Sequence, residues 1–424
     1  MAKILFHMFP EPGHVGPTIK LAKGLAARGH AVAYHAILDF EDQIRGEGLG
    51  FVPYLPDQFP RGHVSSVELP RLMLRRKIAR EYRAELRGVR PGGPVERALL
   101  EHAADLVIVD AMQVAYGLLV RRLGLPLLLF TTSLPQTKDR GVPPLGSAVA
   151  YDPSLRGRVE AELAWVRTLA KKRLIDAATS AVGLPTRAAL VRAAAPRYDA
   201  GALDGWTAFL PQIAGVAEIV ACPPALDFPR PPRPSRVYTE SVDLARRESG
   251  EVPEVGEGPL VFCSMGTQAH RTKGGADFLR RVVQAFAQLP EVHGLIATGG
   301  ADLGAPPPNV TIVPRAPQLA VLRRAALMIT HGGLGSFKEC VAHGVPMNVY
   351  PLKDDQPGNG ARVEHHRLGH AGRTHEASAT QIAELMRRTL REGAPGMKAM
   401  QGEVLRFEAA GHGVAAVERM LAAR

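Results

Sequence analysis

The chain has 424 residues, 52 of them Lys or Arg and 41 Asp or Glu, for a formal net charge of +11 with neutral histidines. Hydrophobic residues make up 46% and charged residues 22%, which excludes a disordered chain and predicts two domains rather than one core. Three cysteines (Cys222, Cys263, Cys340) exclude a disulfide framework and favour a reducing compartment. The opening Met-Ala-Lys-Ile-Leu-Phe-His is too short an apolar run for a secretory signal, and no window has the length of a membrane span, so the expectation is a soluble, cytoplasmic protein. The mild basic excess suits nucleic acid, an anionic surface or an anionic small ligand. Nucleic acid is disfavoured, because aromatics are only 5% and no base-reading motif occurs.

In chain order, Ile4 to Phe9 reads as a strand, Thr18 to Arg28 as a helix closed by Gly29, and Ala31 to Leu38, Phe51 to Leu55, Leu106 to Val109 and Leu127 to Phe130 as further strands. Strands separated by helices imply parallel crossovers and an α/β sheet. Residues 71–90 carry eight basic residues against Glu81 and Glu85, with Leu74, Ile78, Tyr82 and Leu86 along one helical face. This reads as a solvated basic face over a core stripe; the alternative is peripheral membrane contact. Residues 150–215 read as helical. The proline-rich stretch from Cys222 to Pro234 predicts an extended connector, which divides the chain into domains at 1–220 and 259–424 joined by a linker at 221–258. Beyond it the alternation restarts, with strands at Leu260–Ser264, Gly294–Thr298, Val310–Pro314, Leu327–Thr330 and Met347–Tyr350 and a helix at Asp277–Leu289. Two such sheets facing one another create a cleft at the carboxyl ends of their strands.

The most informative stretch runs from Leu327 to His343. An apolar strand ends at Thr330, a bend follows with Gly332, Gly333 and Gly335, and a helix begins near Ser336. Unpaired N–H groups at a helix start and close backbone approach at glycine suit a phosphate, with His331 and Ser336 as added donors. A tight turn with a serine N-cap is the other reading. In the first half, His14 follows the first strand and Asp110 ends the strand from Asp105; an imidazole can take a proton from an alcohol, and a carboxylate can orient it. Asp105 reads as a strand-start residue. His365, His366, His370 and His375 lack the cysteine or acidic partners of a metal site and read as surface.

Taken together, Ala-Pro-Gln at 316–318, Thr-His-Gly-Gly at 330–333, Ser336, Glu339, Gly-Val-Pro-Met at 344–347, Pro351, Asp355-Gln356 and Asn359 resemble the nucleotide-sugar signature of the family-1 (UGT-type) glycosyltransferases of GT-B fold. The spacing is similar to that of bacterial carotenoid and macrolide glycosyltransferases. The resemblance implies two Rossmann-like parallel-sheet domains facing across a cleft, with the last helix, Gln401 to Arg424, crossing back to the first. It implies that His331, Gly333 and Ser336 hold a diphosphate, Glu339 the ribose, Asp355 and Gln356 the donor sugar, and that Gln318 lies near the base. Phe262-Cys-Ser-Met-Gly-Thr-Gln268 resembles the loop in which Thr267 would touch the diphosphate. Pro12-Gly-His-Val-Gly-Pro17 resembles the loop that carries the general base, His14, held by Asp110. The chain departs from the family at Arg315, where a base-stacking Trp is frequent, and at Gly335, where Asn is frequent; a guanidinium plane also stacks.

No Asp-x-Asp triplet occurs, so neither metal nor resident cofactor is expected. The expected reaction is inverting transfer of a hexose from a UDP- or TDP-sugar to a hydroxyl of a lipophilic small molecule. Leu145, Met112, Trp206 and Phe209 are candidates for an apolar acceptor pocket. A sugar-nucleotide epimerase and a non-catalytic helper protein are the rival readings; neither would need His14 paired with Asp110.

Overall fold

The computed structural model describes all residues except 64–70, 182–186, 198–202, 243–250, 257, 267–273 and 424; for 71–78 and 187 it describes the backbone alone. The first half runs β1 (Lys3–His7), α1 (Pro12–Ala27), β2 (Ala31–Ala36), α2 (Glu41–Gly46), β3 (Gly50–Pro53), α3 (Arg71–Gly88), α4 (Pro94–His102), β4 (Leu106–Asp110), α5 (Val114–Arg122), β5 (Leu127–Thr131), α6 (Leu155–Ala181), α7 (Arg187–Ala194), β6 (Leu203–Asp204), β7 (Gln212–Ile213), β8 (Glu218–Val220) and β9 (Arg236–Tyr238). The second half runs β10 (Leu260–Ser264), α8 (Gly275–Phe286), β11 (His293–Ala297), β12 (Val310–Val313), α9 (Gln318–Leu322), β13 (Ala325–Thr330), α10 (Leu334–His343), β14 (Met347–Val349), α11 (Gln356–His365), β15 (Gly369–Ala371), α12 (Ala379–Glu392), α13 (Met397–Glu408) and α14 (His412–Ala422).

Two parallel sheets result, one in the order β3-β2-β1-β4-β5-β8-β9 and one in the order β12-β11-β10-β13-β14-β15. Their central strands are buried on both faces: Ile4, Leu5, Phe6 and Leu106 to Val109 in the first, Val261, Phe262, Cys263 and Leu327 to Ile329 in the second. That is why these strands read as continuous apolar runs rather than as alternations. In each sheet the winding reverses once, between β1 and β4 and between β10 and β13. A crevice opens at the carboxyl ends of such a pair, so each half offers one binding position, and each position carries a residue picked out by its sequence.

Several boundaries differ from the sequence reading. The first helix starts at Pro12, not Thr18, so His14 sits in a helical first turn rather than a loop. Pro12 is tolerated there because the first N–H groups of a helix have no intrahelical acceptor; Pro17 lies further in and has no N–H to donate to the carbonyl four residues back. Residues 203–213 hold a short antiparallel pair, β6 with β7, inside a stretch read as helical. The proline-rich segment is not irregular throughout the span 221–258: once its last proline is passed, Arg236–Tyr238 pairs with β8 as the edge of the first sheet.

Polar contacts join the halves. Glu240 accepts from the N–H groups of His412 and Gly413 and so caps α14, which packs on α1 and β9; Arg28 pairs with Glu418 at the same contact. The crossing back to the first half therefore begins at 412, whereas α13 still packs on α10. Lys20 of α1 reaches Glu408 at 2.8 Å. Arg362 of α11, fully buried, meets Asp227, which also holds Arg230; Arg230 in turn meets Asp139. A buried charge is tolerable only when paired in this way.

Candidate active site

The first-half residues are placed by the switch between β1 and β4. His7 is in register with Val109, so the chain leaving β1 passes directly over Asp110. The Asp110 carboxylate is buried and accepts from Phe9 N–H at 3.3 Å and Met112 N–H at 2.8 Å. Its Oδ2 lies 2.7 Å from His14 Nδ1. Thr132 Oγ1, just past β5, lies 3.0 Å from the same nitrogen. With Nδ1 committed to Asp110, Nε2 is the ring nitrogen left to take a proton. Burial pulls the His14 pKa down, but the charge and hydrogen bond of Asp110 outweigh it, with Glu11 and Asp355 adding, and the net direction is up. The influence of Asp355 is exerted across the cleft, from the second half.

The second-half residues gather where β10 and β13 diverge. Gly333 is the N-cap residue of α10 and has no side chain to occupy the helix's first N–H groups. Ser336 therefore lies in the first turn of the helix and is not its cap. Its hydroxyl accepts from Gln318 Nε2 at 3.1 Å, and the same amide donates to Glu339 Oε2 at 2.5 Å. Gln318, Ser336 and Glu339 are thus one bonded group on the cleft wall. The His331 ring is wedged between two glycines: a Cβ at Gly266 would stand 2.7 Å from its Cε1, and one at Gly333 2.6 Å from its Nε2. Burial, with the Lys353 ammonium adding, lowers its pKa to about 4, so the ring is neutral at neutral pH. His331 Nδ1 is buried without a hydrogen-bond partner. A neutral imidazole can donate a hydrogen bond to an anion but adds no charge.

Asp355 precedes α11 and is pushed up to about 6 by burial, against the hydrogen bond from Asn359. Asn359 Nδ2 donates to Asp355 Oδ2 at 3.0 Å and to Gly332 O at 2.8 Å, which ties the sugar-side carboxylate to the glycine bend. Gln356 Oε1 accepts from the N–H groups of Leu352 and Lys353, so this side chain offers the cleft donors beside the acceptor oxygens of Asp355.

One cleft of about 1560 Å³ is lined by His14, Asp110, Thr132, Arg315, Gln318, His331, Gly333, Ser336, Glu339, Asp355 and Gln356. Every described site residue therefore opens on a single space; Thr267 lies outside the described residues. Of the acceptor candidates, Met112 and Phe209 line the cleft. Leu145 and Trp206 do not. Leu145 is buried, its carbonyl against Gly358 of α11, and Trp206 is exposed beneath Lys138. Asp105 accepts from Lys3 N–H and ties the starts of two strands. His365 and His366 pack edge-to-face, and His365 lies edge-on to Phe228 and Tyr151. Sequence reasoning missed Thr132, and it named Asn359 in the signature without a role. Asn359 was signalled by its position one helical turn beyond Asp355, whereas nothing local marks Thr132.

Comparison with known proteins agrees with this geometry. Residues 286–410 match the C-terminal domain family of erythromycin biosynthesis protein CIII-like proteins. The chain is 27% identical over 398 residues to a zeaxanthin glucosyltransferase of Pantoea ananas, covering 89% of this chain and 86% of that protein. It is 27% identical to a demethyllactenocin mycarosyltransferase of Streptomyces fradiae, covering 98% of this chain and 85% of that one. The crystal structure of CalG4, the calicheamicin glycosyltransferase, superposes with a TM-score of 0.64 at 25% identity, covering 100% of this chain and 98% of that one. Two facing parallel-sheet domains with a shared cleft define the GT-B class. Within it, the chain is a glycosyltransferase, similar over most of its length to bacterial carotenoid and macrolide glycosyltransferases.

Proposed function

We propose that the protein transfers a hexose from a UDP- or TDP-sugar to a hydroxyl group of a lipophilic small molecule, with inversion and without a metal ion. The observation that carries this reading is the contact between His14 and Asp110 on the wall of the cleft that also holds the glycine bend. Asp110 holds the ring as the Nδ1–H tautomer and stabilises the imidazolium that forms. His14 Nε2 takes the acceptor's proton as its oxygen attacks the anomeric carbon from the side opposite the nucleotide. The bond to the diphosphate oxygen breaks, and the diphosphate leaves with its electron pair. Uncapped N–H groups at the start of α10, with His331 and Ser336, offset the developing negative charge. Glu339 accepts from ribose hydroxyls, and Asp355 with Gln356 holds the sugar. Arg315, exposed at the cleft, presents a flat guanidinium to the base.

Met112 and Phe209 supply apolar surface on the acceptor side. Relatives named for a carotenoid and for macrolide substrates favour a hydroxylated acceptor with a large apolar body. The test is a matrix of UDP- and TDP-sugars against hydroxylated apolar acceptors, read by mass increase with and without chelator. A hexose mass added in chelator is expected; acceptor-independent conversion of the sugar nucleotide would identify an epimerase instead.

A further inference from the structure

Helix α6 has two apolar faces. Gly157, Ala161, Ala164 and Trp165 pack inward. Directly opposite, Leu155, Val159, Leu163, Val166 and Leu174 are 73%, 51%, 49%, 58% and 72% exposed, with exposed Ala170 between the last two. A helix that is apolar on both sides normally has a neighbour on both sides. Contiguous exposed apolar surface of this kind marks an interaction site rather than ordinary surface.

The pattern of the stripe identifies the neighbour. From Leu155 to Leu174 the steps are four, four, three, four and four residues, a sequence of intervals that reads the same from either end. Two copies of α6 laid antiparallel about a two-fold axis between Ala164 and Trp165 therefore match the stripe to itself. Leu155 meets Leu174 of the partner subunit, Val159 meets Ala170 of the partner subunit, and Leu163 meets Val166 of the partner subunit. A two-fold interface requires self-matching of this kind.

The charges beside the stripe agree with that direction. Glu160 and Glu162 lie in the amino-terminal half of the exposed surface with Arg156 and Arg158, Glu160 paired with Arg156 and Glu162 with Lys138, while Arg167, Lys171 and Arg173 lie in the carboxyl-terminal half with Asp176. On the flank that carries Glu160, antiparallel pairing sets it between Arg167 and Lys171 of the partner subunit. Parallel pairing would set like charges side by side. We propose that the protein forms a two-fold dimer through the exposed face of α6, antiparallel to α6 of a second copy.

Sedimentation velocity over the micromolar range tests this with the full chain. The wild type is expected to sediment as a concentration-dependent dimer. Val166→Glu, an exposed position, is expected to give a monomer with unchanged circular dichroism and melting temperature. Glu160→Arg is expected to weaken the dimer by tenfold or more, and adding Arg167→Glu is expected to restore it, because the pair is exchanged across the axis. A wild type that stays monomeric overturns the proposal, as does a dimer indifferent to Val166→Glu. Flotation with phosphatidylglycerol vesicles supplies the other occupant: a monomer that floats, and loses flotation with Val166→Glu, assigns the face to a membrane and overturns the dimer.

Discussion

Asp110 Oδ2 and His14 Nδ1 lie 2.7 Å apart, although 96 residues separate them in the chain. The pairing of β1 with β4 creates that contact, because it sets the strand end that carries the acid beside the helix start that carries the imidazole. Asp110 is also held by two backbone N–H groups, so it is oriented before any substrate arrives.

The first expectation concerns pH. Asp110 is the largest influence raising the His14 pKa, against burial. Activity needs the neutral ring and so falls as pH drops through that raised value. Asp110→Asn removes the charge, lowers the His14 pKa and moves the acidic limb of the kcat/KM profile to lower pH, while kcat itself falls. A limb that stays in place in this variant would separate it from His14.

Donor affinity is expected to depend on the group formed by Gln318, Ser336 and Glu339. Glu339→Gln replaces a charged acceptor with a neutral amide. Loss of one charge-assisted hydrogen bond, about 1.5–3 kcal/mol, raises the donor KM by roughly tenfold to a hundredfold. The acceptor KM is expected to stay within about twofold. Initial rates at varied donor and acceptor concentrations separate the two.

Gly358 lies inside α11, where alanine is the better helix former by about 1 kcal/mol. A Cβ there would nonetheless stand 2.0 Å from the Leu145 carbonyl oxygen of the first half. Backbone cannot rotate aside as a side chain can. Gly358→Ala is therefore expected to destabilise by about 1–3 kcal/mol and lower Tm, against helix propensity. A raised Tm in thermal melting would mean that the two halves do not approach this closely.

Stability is expected to fall with acid. Burial lowers the pKa of His7 and of His331 from 6.5 to about 4, so the unfolded chain binds more protons than the folded one between those values. Stability from these rings is fully present above pH 6.5 and is lost as pH falls. At pH 5 the loss is about 2 kcal/mol for each. Asp355, raised to about 6, works the other way and offsets it in part. Urea unfolding at pH 7 and pH 5 measures the balance, and a net loss of a few kcal/mol is expected.

Much of this was legible in the sequence. Fully buried central strands are continuous apolar runs, so β4, β10 and β13 were read nearly to the residue. The nucleotide-side residues sit close together in the chain, within one bend and two helix starts, so local spacing exposed them. What escaped depends on distant partners. The helical setting of His14 was hidden because proline and glycine resemble a loop until the first turn of a helix is considered. Strand β9 is three residues long and stands only because β8 lies beside it. Thr132 reaches His14 across 118 positions. The pairing of Arg362 with Asp227 spans 135 positions, and neither residue has a local signature.

The central claim is that one half of the cleft holds the nucleotide while His14 in the other removes the acceptor's proton. Calorimetry with UDP and TDP, together with turnover of the same His14→Ala preparation, tests it most directly. The account predicts unchanged affinity for whichever nucleotide the wild type binds and a kcat lower by about 10²–10⁴. Turnover at the wild-type rate, or loss of nucleotide binding along with activity, would contradict it.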